Sequence, residues 1–292
     1  MKLVTTTGDY IRTRNEPGLH VDVVDTMKMI KSAGYDGIDL NIACYSHGAD
    51  TRPLETDGWK QWADRVKQAS EELEIPIEQA HAPFLNPCPE HELSDWEKEM
   101  NERTLYCCEL LHIPVIVYHT WIVQEGRSIS SVASREKTLR TIRDFAIKYA
   151  AFGTKIAVEN NVPYYNYFSS PEDLISLVDE IDMPNVGICW DFGHGNLSKL
   201  DTGAALRKIG RRLIAVHAND NHAHGEFDEH LLPFCGTVNW EDGMRALSDI
   251  GYRGNLTFEA IQFYPGMPEA LVPEAMKFAE KTGRYLISLA EK

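Results

Sequence analysis

The sequence predicts a single (β/α)8 barrel, and three observations carry that expectation. Eight short β-rich segments recur along the 292 residues. Longer stretches with apolar residues at three- and four-residue spacing lie between them. No Ser/Gly-rich linker or low-complexity tract divides the chain. Strand–helix alternation implies parallel pairing through crossover helices, and eight such units in a chain of this size close a barrel. The other α/β solution, an open doubly wound sheet, usually carries GxGxxG after its first strand, and TTTGDY (5–10) does not fit that pattern.

In chain order, the strands are expected at KLVTTT (2–7), GIDLNI (37–42), IEQAHA (77–82), VIVYHT (115–120), KIAVEN (155–160), VGICWD (186–191), LIAVHA (213–218) and NLTFEA (255–260). Each is a short run enriched in β-branched and apolar residues. Helical periodicity marks VVDTMKMIKSAG (23–34), WADRVKQASEELE (62–74), KTLRTIRDFAIKYAAFG (137–153) and WEDGMRALSDIG (240–251), which close on Gly or Pro. The neighbours Cys107 and Cys108 fall on a further helix, and the amphipathic EAMKFAEKTGRYLISLAEK (274–292) closes the barrel. Two junctions, SAGYDGIDL and SDIGYRGNLTF, repeat the same order of helix, Gly-Tyr, Gly and strand. One domain, 1–292, is expected.

Composition narrows the function classes. With 43% hydrophobic and 25% charged residues the chain can bury a sizeable core. The longest apolar runs, such as VIVY (115–118), are too short to span a membrane, and the opening MKLVTTTGDY lacks a signal-peptide core. A cytoplasmic protein with no membrane partner is expected. The six cysteines form no CxxC pair, so no disulfide framework is expected. The net charge is −15 and no Lys/Arg cluster stands out, which argues against nucleic acid as a partner.

A barrel carries its chemistry at the C-terminal ends of its strands, and here those ends are polar. Strand 3 ends in His81, strand 4 in His119, strand 5 in Glu159 followed by Asn160 and Asn161, strand 6 in Asp191 with His194 just beyond, strand 7 in His217 followed by Asn219 and Asp220, and strand 8 in Glu259; strand 2 offers Asp39 slightly earlier. In GICWDFGHGN (187–196), Gly193 and Gly195 flank the histidine, and a glycine-permitted turn is expected to swing His194 toward the site. One strand-end histidine is more often a hydrogen-bonded core residue than a ligand, and one glutamate there can simply cap a helix. Six such ends together are another matter, because packed carboxylates without a cation repel and desolvate one another.

A bound divalent metal removes that objection. Glu159, Asp191, His217 and Glu259 supply three carboxylates and one imidazole, a set suited to Mn²⁺, Mg²⁺, Co²⁺ or Zn²⁺ rather than to a closed structural zinc site. His81, His119 and His194 are placed to support those ligands or to hold substrate. The loop NDNHAHGEFDEHLLPFCGTVNWED (219–242) adds Asp228 and His230, and less ordered His222 and His224. Trp121, Phe84, Tyr164, Tyr165, Tyr167, Phe168 and Trp190 are candidates for an apolar wall that stacks on a sugar. An ion in such a site can polarise a carbonyl while a neighbouring carboxylate moves a proton between adjacent carbons, which describes aldose–ketose isomerisation and epimerisation. It can instead activate water against a phosphodiester.

The runs QAHAPF (79–84), VYHT (117–120), AVENN (157–161), CWDFGHGN (189–196), VHANDN (216–221), DEHLLPFCGTVNW (228–240) and LTFEA (256–260) resemble the sugar phosphate isomerase/epimerase family. That family sits in the xylose isomerase-like barrel superfamily, beside inosose dehydratases, ketose 3-epimerases and the endonuclease IV type of abasic-site nuclease. The resemblance spans about residues 30–265. It implies one divalent metal, manganese first, on Glu159, Asp191, His217 and Glu259. It implies Glu159 and Glu259 as the acid/base pair and His194 as a substrate-binding residue. His81, His119, Asn161, Asp228, His230 and Trp121 are expected around the same substrate, a small carbohydrate or polyol, and a homo-oligomer is expected. Ketose 3-epimerases carry a further Glu and an Arg where this sequence has Tyr165 and Ala223, so the narrow epimerase class is not implied.

Two alternatives follow from the same resemblance. One is a carbohydrate lyase or dehydratase, including enzymes that cleave C-glycosides. The other is a three-zinc nuclease, because His81, His119, Glu159, Asp191, His194, His217, Asp228, His230 and Glu259 match that branch's nine ligand positions. Against the nuclease stand the net charge of −15 and YHTW, where the nuclease pattern has His-Pro-Gly.

Overall fold

Each of the eight expected segments forms a strand in the computed structural model, which describes residues 1–10, 21–46, 52–84, 87–165, 167–224 and 227–291. The strands are β1 (Leu3–Thr6), β2 (Gly37–Asn41), β3 (Ile77–His81), β4 (Val115–Tyr118), β5 (Lys155–Glu159), β6 (Val186–Asp191), β7 (Leu213–Ala218) and β8 (Leu256–Phe258). They run parallel in sequence order, and β8 pairs back onto β1, with Leu3 opposite Leu256, to close a (β/α)8 barrel. Most strands are shorter than their sequence segments, but His81, Glu159 and Asp191 still end theirs.

Among the described residues, seven crossover helices and a closing one surround the barrel: α1 (Val23–Ala33), α2 (Trp59–Glu72), α3 (Asp95–Leu110), α4 (Ser131–Ala150), α5 (Pro171–Ile181), α6 (Thr202–Ile209), α7 (Trp240–Asp249) and the closing α8 (Val272–Ala290). Their starts are written in the sequence. Ser94 and Glu97 form a reciprocal capping box on α3, and Ser170 caps α5 ahead of Pro171. Gly34 ends α1 at φ 102°, a conformation that favours glycine. α8 packs on α1 and α7, and Arg284 grips Asp36 with Nη1 at 2.6 Å and Nη2 at 2.9 Å, tying the last helix to the turn before β2. All six cysteines are free. Among the described residues, no helix is long and apolar enough to cross a membrane.

The barrel interior explains how the strand ends reach one place. Val117, Ala157, Cys189 and Ala215 form a buried layer of small side chains inside β4–β7. Side chains two apart on a strand point the same way. One step farther along the same strands, the inward positions are therefore His119, Glu159, Asp191 and His217. Gln79 and Thr257 occupy the equivalent lower positions beneath His81 and Glu259, and they are polar.

Candidate active site

Glu159, the last residue of β5, is the hub. Its Oε1 accepts from His217 Nδ1 at 2.7 Å, and its Oε2 lies 3.2 Å from His81 Nε2 and 3.3 Å from His119 Nε2. Burial alone would push this carboxyl up, but His217 outweighs it and, with the His81 hydrogen bond, holds Glu159 well below the ordinary carboxylate range. Glu259, one residue past β8, places its Oε2 3.3 Å from the same His217 nitrogen.

Asp191 ends β6 and caps the short helix Phe192–Leu197 with its side chain. Its Oδ1 accepts from the His194 amide at 2.7 Å and its Oδ2 from Asn219 Nδ2 at 2.6 Å. Asn160 clamps the Asp191 backbone from both sides, accepting from its N–H at 2.7 Å and donating to its C=O at 3.1 Å. Burial pushes the Asp191 carboxyl up to about 6, against the pull of His194 and His230.

A second chain of polar groups lines the mouth. Asp228 Oδ2 sits between His194 Nε2 at 2.9 Å and His230 Nε2 at 2.6 Å. The far nitrogens of both rings face backbone carbonyls, His194 that of Asn160 at 2.7 Å and His230 that of Glu259 at 2.9 Å. Rings with acceptors at both nitrogens favour the doubly protonated form. Burial lowers the His194 pKa, but Asp191 and Asp228 outweigh it and hold it at about 10. His119, by contrast, is pushed down to about 4 by burial, Glu159 notwithstanding, and stays neutral.

These groups floor a cavity of about 390 Å³ at the C-terminal end of the barrel. Glu159, Glu259, His119, His194, Asp228 and His230 line it together with apolar Phe84, Ile122, Val162 and Ile261. A larger hollow of about 580 Å³ lies outside the barrel between α3 and α4 and contains none of these residues. The convergence of titratable groups among apolar side chains makes the mouth, not the larger hollow, the place for chemistry on a small polar molecule.

The donor set fits a divalent cation. Glu159, Asp191, His217 and Glu259 are all buried, and one ligand atom from each lies within 4.8 Å of the others. His81/His119/Glu159 and His194/Asp228/His230 meet the same distance condition on either side. Three buried carboxylates at this spacing need positive charge among them, and an oxygen-rich set with one imidazole suits a hard or borderline ion.

Several expected residues sit elsewhere. Trp121 does not line the cavity: it is 1% exposed, its Nε1 donates to Glu97 at 3.2 Å, and it stacks on Tyr118. Glu97 in turn lies 3.9 Å from the buried Lys137 ammonium, so Trp121 belongs to a buried polar network beneath α3 and α4 rather than to a substrate wall. Trp190 and Phe168 are likewise core residues, while Phe84, Tyr164 and Tyr165 reach the cavity. Asn161 reaches the rim, but its side-chain amide is occupied in donating to Thr120 Oγ1 and to the Tyr167 carbonyl. His222 pairs with Glu229 at 3.0 Å on the exposed part of the loop.

Gly193 and Gly195 do not make a turn. Both lie inside the short helix, and neither is at positive φ. They are there for close approach: a Cβ on Gly193 would meet Asn219 Oδ1 at 1.9 Å, and one on Gly195 the Trp190 ring at 2.7 Å. Gly193→Ala is expected to cost about 1–3 kcal/mol of stability, the range for overpacking, by driving Asn219 off Asp191; the shift of the urea midpoint measures it.

Asp220, although it follows a strand end, holds the loop instead of the substrate. Its Oδ1 accepts from the Asn221 and Val238 amides at 2.9 and 3.0 Å, and its Oδ2 from the Phe234 amide and Trp240 Nε1 at 3.0 and 2.9 Å. Asp220→Ala strands four donors, each worth about 1–3 kcal/mol when buried without a partner. A loss of about 3–5 kcal/mol is expected after partial rescue by water, read by chemical denaturation. Gln79, whose amide contacts His217, had no sequence signal beyond its place two residues before His81.

A closed parallel eight-stranded barrel whose strand ends meet in buried carboxylates and imidazoles is a (β/α)8 barrel with its polar groups gathered at one mouth. The chain belongs to the xylose isomerase-like TIM barrel family, whose model matches residues 16–282. It is 31% identical over 240 residues to the uncharacterised protein MJ1311 of Methanocaldococcus jannaschii, covering 76% of this chain and 73% of that one. It is 25% identical over 158 residues to D-psicose 3-epimerase of Ruminiclostridium cellulolyticum, covering 54% of this chain and 52% of the relative. Among solved structures, a D-tagatose 3-epimerase-like protein matches with a TM-score of 0.73 at 22% identity, over 100% of this chain and 98% of that one. At that identity the structural likeness speaks for the fold alone.

Proposed function

We propose that the protein is a divalent-metal-dependent sugar isomerase or epimerase, with Glu159 and Glu259 as its proton-transfer pair. The observation that supports this most directly is the meeting of Glu159, Asp191, His217 and Glu259 beside a cavity of about 390 Å³. Similarity to a protein named D-psicose 3-epimerase supports the substrate class. A bound divalent ion, manganese first, would polarise the sugar carbonyl and acidify the neighbouring C–H bond. One glutamate takes that proton and the other delivers a proton to the same carbon from the opposite face for epimerisation; for isomerisation the proton goes to the former carbonyl carbon, and the hydroxyl proton of the first carbon passes to the former carbonyl oxygen. In the His194–Asp228–His230 chain both imidazoles spend their N–H groups internally, so Asp228 Oδ1, buried without a partner, is the acceptor offered to a sugar hydroxyl, and Phe84 lines the same cavity. Where ketose 3-epimerases have a glutamate, Tyr165 lines this cavity, so the sugar is expected to be held differently at that end.

The test is deuterium wash-in. Incubation with Mn²⁺ in D₂O across a ketose panel should place deuterium on a carbon next to a carbonyl. No exchange with any sugar, despite bound metal, overturns the reading. The two flanking ligand groups favour a second reading, a multi-metal hydrolase of the abasic-site nuclease kind. Metal content separates the two: about one ion per chain is expected for the sugar enzyme, whereas three zinc ions with nicking of an abasic-site duplex would establish the nuclease.

A further inference from the structure

Gln79 lies on β3 with its side chain 2% exposed, two residues before His81. Its amide is held at both ends. Nε2 is 3.0 Å from His217 Nε2, and Oε1 accepts from Thr257 Oγ1 at 3.4 Å. The other His217 nitrogen, Nδ1, donates to Glu159 Oε1 at 2.7 Å and lies 3.3 Å from Glu259 Oε2. Gln79 therefore links Thr257 to His217, and His217 links Gln79 to the two glutamates.

A cation among the carboxylates fixes where the ring proton sits. Nδ1 is the nitrogen aimed at them, so it would give its lone pair to the ion, and the ring proton must then sit on Nε2. In a buried place only the side-chain oxygen of Gln79 can accept that proton, with the amide NH₂ turned toward Thr257 Oγ1.

We propose that Gln79 is the positioning residue of the metal-bound His217, its side-chain oxygen accepting the Nε2–H while its NH₂ is held by Thr257. This rests on the metal reading of the site above. It explains why a polar side chain occupies this inner layer of β3, where the layer inside β4–β7 is filled by Val117, Ala157, Cys189 and Ala215.

The experiment is direct Mn²⁺ titration by calorimetry of the wild type, Gln79→Leu and Gln79→Glu, with Zn²⁺-loaded ¹⁵N NMR of the wild-type imidazoles. Loss of a partner outside the ligand shell typically weakens metal binding about 10–100-fold, which is the effect expected of Gln79→Leu. Gln79→Glu keeps an acceptor toward Nε2–H and should restore most of that affinity, which a role in packing alone would not do. In the loaded wild type, His217 should show a proton on Nε2 protected from solvent exchange. A wild type that binds no divalent ion overturns the metal reading itself. A wild type that binds while Gln79→Leu binds equally well overturns this proposal alone. An unprotonated Nε2 in the loaded wild type overturns it whether or not the variants fold.

Discussion

Replacing Glu259 by glutamine is expected to lower turnover by about three orders of magnitude or more, about 4 kcal/mol of barrier, and to weaken metal binding at the same time. Glutamine keeps the shape of the side chain and removes its charge and its basicity. Glu259 is 3% exposed, and its Oε2 lies 3.3 Å from His217 Nδ1, so the amide would still fit the space. The loss would therefore be chemical. Glu259→Asp is the informative companion. It retains charge and withdraws the carboxylate by one methylene, so metal binding should survive better than turnover. Exchange rates in D₂O and Mn²⁺ titration measure the two effects separately. If Glu259→Gln turns over within tenfold of the wild type, the proton-transfer assignment is wrong.

Asp191→Asn is expected to stabilise the metal-free protein at pH 7 while destroying its metal affinity. The Asp191 carboxyl stands at about 6 in the folded chain because it is buried, against about 3.9 in an unfolded one. An acid whose folded pKa is raised holds its proton more tightly in the fold, so ionisation favours unfolding. Its contribution is intact below the unfolded value and is lost as pH climbs from about 4 to about 6. The amide has no such loss at neutral pH. It also has a partner waiting: Asn219 Oδ1 is buried and unpaired, so a turn of the Asn219 amide would meet the new N–H. A gain of about 1–3 kcal/mol is expected at pH 7 after chelation, shrinking toward zero near pH 4. Thermal unfolding at both pH values measures it. A destabilised variant at pH 7, or one that binds Mn²⁺ as the wild type does, overturns the role given to Asp191. The pairing of higher stability with lost affinity is the mark of a residue kept at a cost to the fold.

Much of the site was legible from strand ends. His81, Glu159, Asp191, His217 and Glu259 are one face of a period-two pattern, and the pattern survives without knowing any contact. Asp220 and Trp121 were not legible, for one reason. Their roles depend on donors and acceptors brought by other segments, four donors to Asp220 and Glu97 to Trp121. Gly193 shows the same limit. A glycine beside a histidine reads as a turn, whereas the structure uses it as room for Asn219, 26 residues later in the chain.

What the sequence alone determined is the barrel and the list of groups at its mouth. Alternation along a strand is local, and so is the run of apolar residues that ends in an acid or an imidazole. What only the tertiary structure decided is which atom faces which. Gln79 meets His217 across 138 residues of chain, and Thr257 across 178. Contacts that distant exist only once β8 has closed on β1.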